Sequence, residues 1–280
     1  MNKEILIICR GGGDLATGIV HRLFRAGYQV LILETAEPAA IRRQVSFCEA
    51  VYEGTATVEG VTAERIYTAK KQAVEEVLQR GRIPLLVDPD GRSIEVLKPD
   101  VVVDAIIAKK NLGTYKEMAP LVIGIGPGFV AGEDVHLVVE SMRGHNLARI
   151  LENGSALANT GIPGNIGGYT KERVIHAAAE GYMKNLHQIG DVVRKGEKIA
   201  RIYEQMSPEG IFSGRFVSVE ATIPGVLRGL IREGYHFQKG FKIADIDPRE
   251  SELANCFTIS DKASSIGGSV LEAVCRYVNG

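Results

Sequence analysis

The chain has 280 residues, 45% of them hydrophobic and 24% charged, with 32 glycines and a net charge of −1. This is the composition of a globular protein long enough for one large domain or two ordinary ones, without the basic stripe that nucleic-acid binding requires. Its four cysteines (Cys9, Cys48, Cys256, Cys275) are scattered, which argues against a disulfide framework or zinc knuckle and points to the cytoplasm. No apolar run approaches 18 residues, so neither a signal segment nor a membrane span is expected.

The run from Glu4 to Cys9 has the pattern of a strand buried on both faces. It leads into "RGGGDLATG", after which Leu15, Ile19, Leu23 and Phe24 recur at helical spacing until Gly27. "YQVLILE" follows as a second strand ending at Glu34, which completes a β-α-β unit. Gly11, Gly13 and Ala16 fit G-x-G-x-x-[GA], and Glu34 lies where a carboxylate accepts from ribose hydroxyls. The turn from Gly11 through Gly12 to Gly13 is therefore expected to hold a dinucleotide or its pyrophosphate against the helix N-terminus. Arg10 could pair with a phosphate, whereas Asp14 could cap the helix but would repel one. The absence of G-K-[ST] excludes a P-loop.

Cys48 lies in the amphipathic "IRRQVSFCEAV" and is expected to pack rather than react. Residues 68–80 read as a helix stopped by Gly81. Strands are expected at 84–88, 101–107, 121–126 and 135–140, several of them ending in Asp or Gly. The loops beyond them carry polar groups. Lys109, Lys110 and Asn111 follow one strand end and could meet a phosphate or form a solvated turn. "GIGPGF", with Gly126 and Gly128, follows another, and Arg143 and His145 come soon after. Asp134, His136, Glu140 and His145 include metal-ligand types, but no H-x-x-x-H or H-E-x-x-H supports a metal, and none is expected. Recognition of a phosphate or pterin by Arg143 and the glycine backbone is the preferred reading.

"GNIGGYT" at 164–170 reads as a linker. Beyond it the chain repeats at an offset of 44 residues, with 180–202 matching 224–246 and K-G-x-K-I-A at 195–200 recurring at 239–244. The pattern resembles the half-repeats of the biotinyl/lipoyl carrier fold. The segment from Tyr203 to Ile223 contains no lysine, so covalent biotin or lipoate is not expected. The tail ends in a helix with Ile266, Val270, Leu271 and Val274 on one face. The chain is thus predicted to be α/β: a Rossmann-like domain over 1–165, a β barrel-sandwich hybrid over 166–250, and a helical tail over 251–280.

"RGGGDLATG", "RRQVSFCEAV", "VDAIIAKKN", "IGIGPGFVAGEDVH", "RGH", "IPGVLRGLI" and "IDPR" together resemble the YqeB-type accessory proteins of selenium-dependent molybdenum hydroxylases. That family is likened to XdhC-type proteins, which have a Rossmann domain and hand a sulfurated molybdenum cofactor to an apo-hydroxylase. The resemblance implies a maturation role, with the molybdenum cofactor (its dinucleotide form included) as ligand and an apo molybdenum hydroxylase as client. The alternatives are an NAD(P)-dependent oxidoreductase, for which Glu34 would favour NAD, and a scaffold that docks a client through the second domain. The expected cofactor-binding set is Arg10, Gly11, Gly12, Gly13, Asp14, Glu34, Lys109, Asn111, Gly126, Gly128, Arg143 and His145. No nucleic acid or membrane partner is expected.

Overall fold

A computed structural model describes residues 5–161 and 164–280. The chain forms two compact units. One takes the sequence up to Pro38, then Val45–Thr160 and Ile259–Gly280; the other takes Ala39–Gln44 and Gly161–Thr258. Each unit is discontinuous, in contrast to the three consecutive segments expected, because the terminal helix joins the first unit and a six-residue segment from the first half joins the second.

In the first unit the strands are β1 (Leu6–Arg10), β2 (Gln29–Glu34), β3 (Thr55–Val58), β4 (Val61–Ile66), β5 (Ile83–Val87), β6 (Val101–Asp104), β7 (Leu121–Ile125), β8 (Leu137–Val139) and β9 (Ile150–Leu151). Its helices are α1 (Asp14–Arg25), α2 (Ala50–Glu53), α3 (Lys71–Gln79), α4 (Arg92–Leu97) and α5 (Asp261–Asn279). The strands make one sheet in the order β3-β4-β5-β2-β1-β6-β7-β8-β9. The central pairs are parallel, but β3 pairs antiparallel with β4 and β9 antiparallel with β8. The expected Rossmann-like domain is corrected accordingly: the unit is a nine-stranded mixed sheet. The glycine motif specified one β-α-β unit and said nothing of the edges, where two-strand returns add antiparallel strands. No helix lies between β6 and β7 or between β7 and β8, where only a short 3-10 turn (Lys116–Met118) occurs.

Strand alternation separates two cores. Ile7, Cys9, Val30 and Ile32 pack with Ile19 and Leu23 of α1 and with Ile266, Val270 and Val274 of α5. Ile8, Leu31, Leu33 and Val102 pack with Val74, Val77 and Ile94 from α3 and α4. Burial on both faces explains the nearly continuous apolar runs. Leu271, expected on the buried face of α5, is only partly buried. Helices α1 and α5 approach very closely: an added Cβ at Gly18 would stand 2.7 Å from the Cβ and carbonyl oxygen of Ala263.

The second unit contains β10 (Val174–His176), β11 (Gly181–Asn185), β12 (Val192–Val193), β13 (Lys198–Met206), β14 (Phe212–Glu220), β15 (Gly225–Leu230), β16 (His236–Phe237) and β17 (Lys242–Asp247). They form two four-stranded sheets, β10-β17-β15-β12 and β14-β13-β11-β16. The 44-residue repeat is visible in the backbone. Gly181 and Gly225 have φ of +151° and +146°, and an added Cβ would fall 2.3 Å from the Tyr203 carbonyl oxygen in one and 2.2 Å from that of Asp247 in the other. Each sheet is completed by a two-residue strand of the other repeat. The expected biotinyl/lipoyl-like barrel-sandwich hybrid is corrected to this pair of antiparallel sheets. The repeat fixed internal equivalence, but equivalence alone does not select a carrier fold. Among the described residues no helix is long and apolar enough to cross a membrane.

Candidate functional site

Strand order reverses at β1, which lies between β2 and β6, and in open α/β sheets ligands bind beyond the carboxyl ends of strands at such a point. The polar residues at this edge of the first unit are largely bonded to one another. Arg10, 2% exposed, donates to the Thr114 hydroxyl and, at 3.1 Å, to the Pro89 carbonyl; it stands 3.6 Å from Asp104. Thr114 in turn donates to Asp104 at 2.6 Å. Arg10 thus neutralises a buried carboxylate at the end of β6 rather than offering its charge to a phosphate.

The glycine turn is similarly occupied. Gly11 N–H donates to the Leu33 carbonyl at 2.8 Å, and Gly12 N–H donates to Glu34 Oε2 at 2.7 Å. The other Glu34 oxygen accepts from Thr35 N–H at 2.8 Å. Glu34 therefore clasps the turn. Burial pushes its pKa up, against the two hydrogen bonds that pull it down. Buried Cys48, whose N–H donates to the Gly12 carbonyl, packs beneath the turn as expected; burial raises its pKa first, and the charges of Glu34, Glu49 and Asp14 add to this. A pyrophosphate at Gly12 would have to displace Glu34 and sit among carboxylates. Gly13 differs: it is the extended N-cap of α1, no side chain caps this end, and nothing lies within 4 Å of where its Cβ would be.

Several other expected ligands hold the loops. Asn111 accepts from Gly113 and Thr114 N–H and donates to the Thr114 carbonyl. Gly128 (φ +115°) lets its loop pass the Lys110 backbone, which an added Cβ would meet at 2.7 Å; Gly126 N–H donates to the Val139 carbonyl. Lys109 is exposed at φ +63°, and His145 is exposed. Glu140, 3% exposed, accepts from Met142 and Leu157 N–H; Asp134 accepts from Val130 N–H; His136 Nδ1 accepts from Val122 N–H. Among the described residues no group of three or more His, Cys, Asp or Glu side chains could hold a metal ion.

Arg143 makes a two-pronged bond to Asp261, at 2.7 and 2.9 Å, which raises its own pKa and ties the loop after β8 to the first residue of α5. The next residue, Lys262, was not singled out by the sequence. It is partly buried and, among the described residues, makes no hydrogen bond or ion pair. Burial lowers its pKa first and the Arg143 charge adds to this, while Asp14, Glu140 and Asp261 act in the opposite sense. Gly18 against Ala263, Arg22 bonded to Ser264, and Tyr28 beside Cys275 show that α1 and α5 run in the same direction. Their N-termini therefore lie at the same edge of the unit. At this edge the Lys262 ammonium and the α1 N-terminus, which no side chain caps, lie among the carboxylates of Asp14, Glu140 and Asp261, while the α5 N-terminus is capped by Ser260, whose hydroxyl oxygen accepts from Ala263 N–H.

No family model matches the chain. It is 46% identical over 274 residues to the uncharacterized protein YqeB of Escherichia coli K12, a match covering 98% of this chain and 48% of that protein. The chain thus spans about half the length of this relative. Solved structures that align include the ectoine utilization protein EutE of Ruegeria pomeroyi (11% identity, 86% of this chain and 85% of that one, TM-score 0.28). Another is an aspartoacylase family protein of Mesorhizobium loti (10% identity, 86% and 84%, TM-score 0.30). A succinylglutamate desuccinylase from a Silicibacter species aligns with 12% identity over 86% and 84% of the two chains, TM-score 0.26. At these scores the alignments define neither fold nor chemistry.

The expected role in maturing selenium-dependent molybdenum hydroxylases is corrected by these findings. The sequence relative that covers nearly the whole chain is uncharacterized and brings no such role. The NAD(P) oxidoreductase alternative falls with it, since the carboxylate assigned to the ribose is bonded to the glycine turn itself.

Proposed function

We propose that the protein binds a small anionic metabolite at the carboxyl edge of the nine-stranded sheet, with Lys262 as its cationic partner. The observation that carries this reading is a partly buried ammonium with no hydrogen bond or ion pair among the described residues, near the uncapped N-terminus of α1. An ammonium drawn out of water gains most from a charged acceptor. The Arg143–Asp261 pair positions Lys262 by fixing the start of α5, and the open space at Gly13 leaves room for a ligand at the α1 terminus. The nearby Glu140 carboxylate is already bonded to two backbone N–H groups. The four free cysteines, three of them buried, support a cytoplasmic location.

The test is calorimetric titration of the full chain with inorganic phosphate, acetate and citrate, repeated with Lys262→Met. Loss of one charge-assisted hydrogen bond should weaken binding about ten- to a hundredfold, equivalent to about 1.5–3 kcal/mol. A folded Lys262→Met protein that binds these anions as the parent does refutes the assignment, as does a parent that binds none of them.

A further inference from the structure

A cleft of about 640 Å³ opens in the first unit, lined by α1, the β3–β4 turn and α5. Its volume falls in the range of small-molecule sites. We propose that it is a second binding site, separate from the Lys262 edge, for a small phosphate monoester held by Arg22 and Arg25.

The walls are fixed by specific bonds. Glu59 and Gly60, which join β3 to β4, both have positive φ, at +46° and +78°, the pattern of a tight hairpin turn that usually selects Asn, Asp or Gly. In this conformation the Glu59 carbonyl lies 3.4 Å from His21 Nε2, and its carboxylate accepts from Ile259 N–H at 2.7 Å. The turn is thereby held to α1 on one side and to the segment leading into α5 on the other. Ser264 closes the same space through a 2.5 Å hydrogen bond from Arg22.

The polar lining is predominantly cationic. Arg22 and Arg25 stand against one carboxylate, that of Glu59, which is already engaged; His21 lies beside them. Arg25 makes no hydrogen bond or ion pair among the described residues. Basic groups in the last turn of a helix ordinarily complement its dipole, but Arg22 is bonded across to Ser264. A guanidinium fork pairs with carboxylate and phosphate alike, but two forks and a hydroxyl around one space offer more donors than the two oxygens of a carboxylate can take up, which favours an anion with three terminal oxygens. Ile259 and Leu271 add an apolar wall, which suits the organic group of an ester rather than bare phosphate.

Phenyl phosphate, inorganic phosphate and benzoate are titrated into the full-length chain by calorimetry. Saturable binding of phenyl phosphate, with benzoate at least tenfold weaker, is expected. Arg25→Gln should reduce phenyl phosphate affinity at least tenfold without altering the fold, since Arg25 has no bond to lose. Equal affinity for inorganic phosphate would identify free phosphate as the ligand and overturn the ester assignment. The site itself is overturned by no saturable binding, or by parental affinity in Arg25→Gln. Lys262→Met should leave this binding unchanged, so the two sites succeed or fail separately; loss in Lys262→Met alone also overturns the proposal.

Discussion

Replacing Glu34 with alanine removes the acceptor that holds Gly12 N–H at 2.7 Å and Thr35 N–H at 2.8 Å. The two losses are unequal. Thr35 is exposed, so water can take over its bond, whereas Gly12 is buried within the turn, with Cys48 N–H on its carbonyl. An unsatisfied buried N–H costs about 1–3 kcal/mol, so Glu34→Ala should lower the thermal midpoint at neutral pH by roughly 2–10 °C. The dependence on pH has a definite sign. Burial raises the Glu34 pKa above its ordinary 4.5, so the folded state favours the protonated carboxyl. The associated stability is fully present below 4.5 and is lost as pH rises through the raised value. The parent's advantage over Glu34→Ala should therefore be larger at pH 4 than at pH 7, and Glu34→Gln should stay close to the parent at pH 7. Thermal unfolding at both pH values, with hydrogen exchange at residues 11–14, measures this. Parental stability and exchange in the alanine variant would show that the carboxylate does not hold the turn; a deficit that grows with pH would show that the sign is wrong.

Gly18→Val places a branched side chain where even a Cβ would stand 2.7 Å from Ala263, so overpacking should cost about 1–3 kcal/mol and speed hydrogen exchange in α5; parental exchange there would refute the close contact. His136 accepts from Val122 N–H through Nδ1, which requires a neutral ring protonated at Nε2, and burial followed by the Lys116 charge lowers its pKa from 6.5. Its stabilising contribution is full above 6.5 and is lost as pH falls through the lowered value. An NMR titration should give a His136 midpoint below 6.5, and a midpoint at or above that value contradicts the assignment.

The sequence revealed local elements better than their assembly. "LIICR" and "QVLILE" are legible as strands because burial on both faces demands consecutive apolar residues, and α1 is legible from its apolar spacing. The edge strands β3 and β9 are short and partly exposed, so no comparable pattern announces them. The repeat makes β11 equivalent to β15 and β13 to β17, but it does not announce the exchange of short strands between the two sheets.

Site residues are less legible for a related reason: a motif identifies a backbone conformation and leaves side-chain partners open. Arg10, Glu34 and Arg143 are each a charged group near a glycine-rich turn, which is compatible equally with binding a ligand and with satisfying the protein. The partners that decide between these roles are distant in sequence, Asp104 for Arg10 and Asp261 for Arg143, the latter 118 residues away. For Glu34 the partner is the glycine turn itself. The apolar run ending in Asp104 did carry a signal, since a carboxylate at the end of a buried strand needs a cation. Lys262 carried none: an Asp-Lys pair opening a helix is ordinary surface sequence, and only the packing of α5 along α1 places it near Asp14 and Glu140. Charged residues that motifs bring to notice can thus be engaged in holding the fold together, while a partly buried ammonium such as that of Lys262 sits where no motif points.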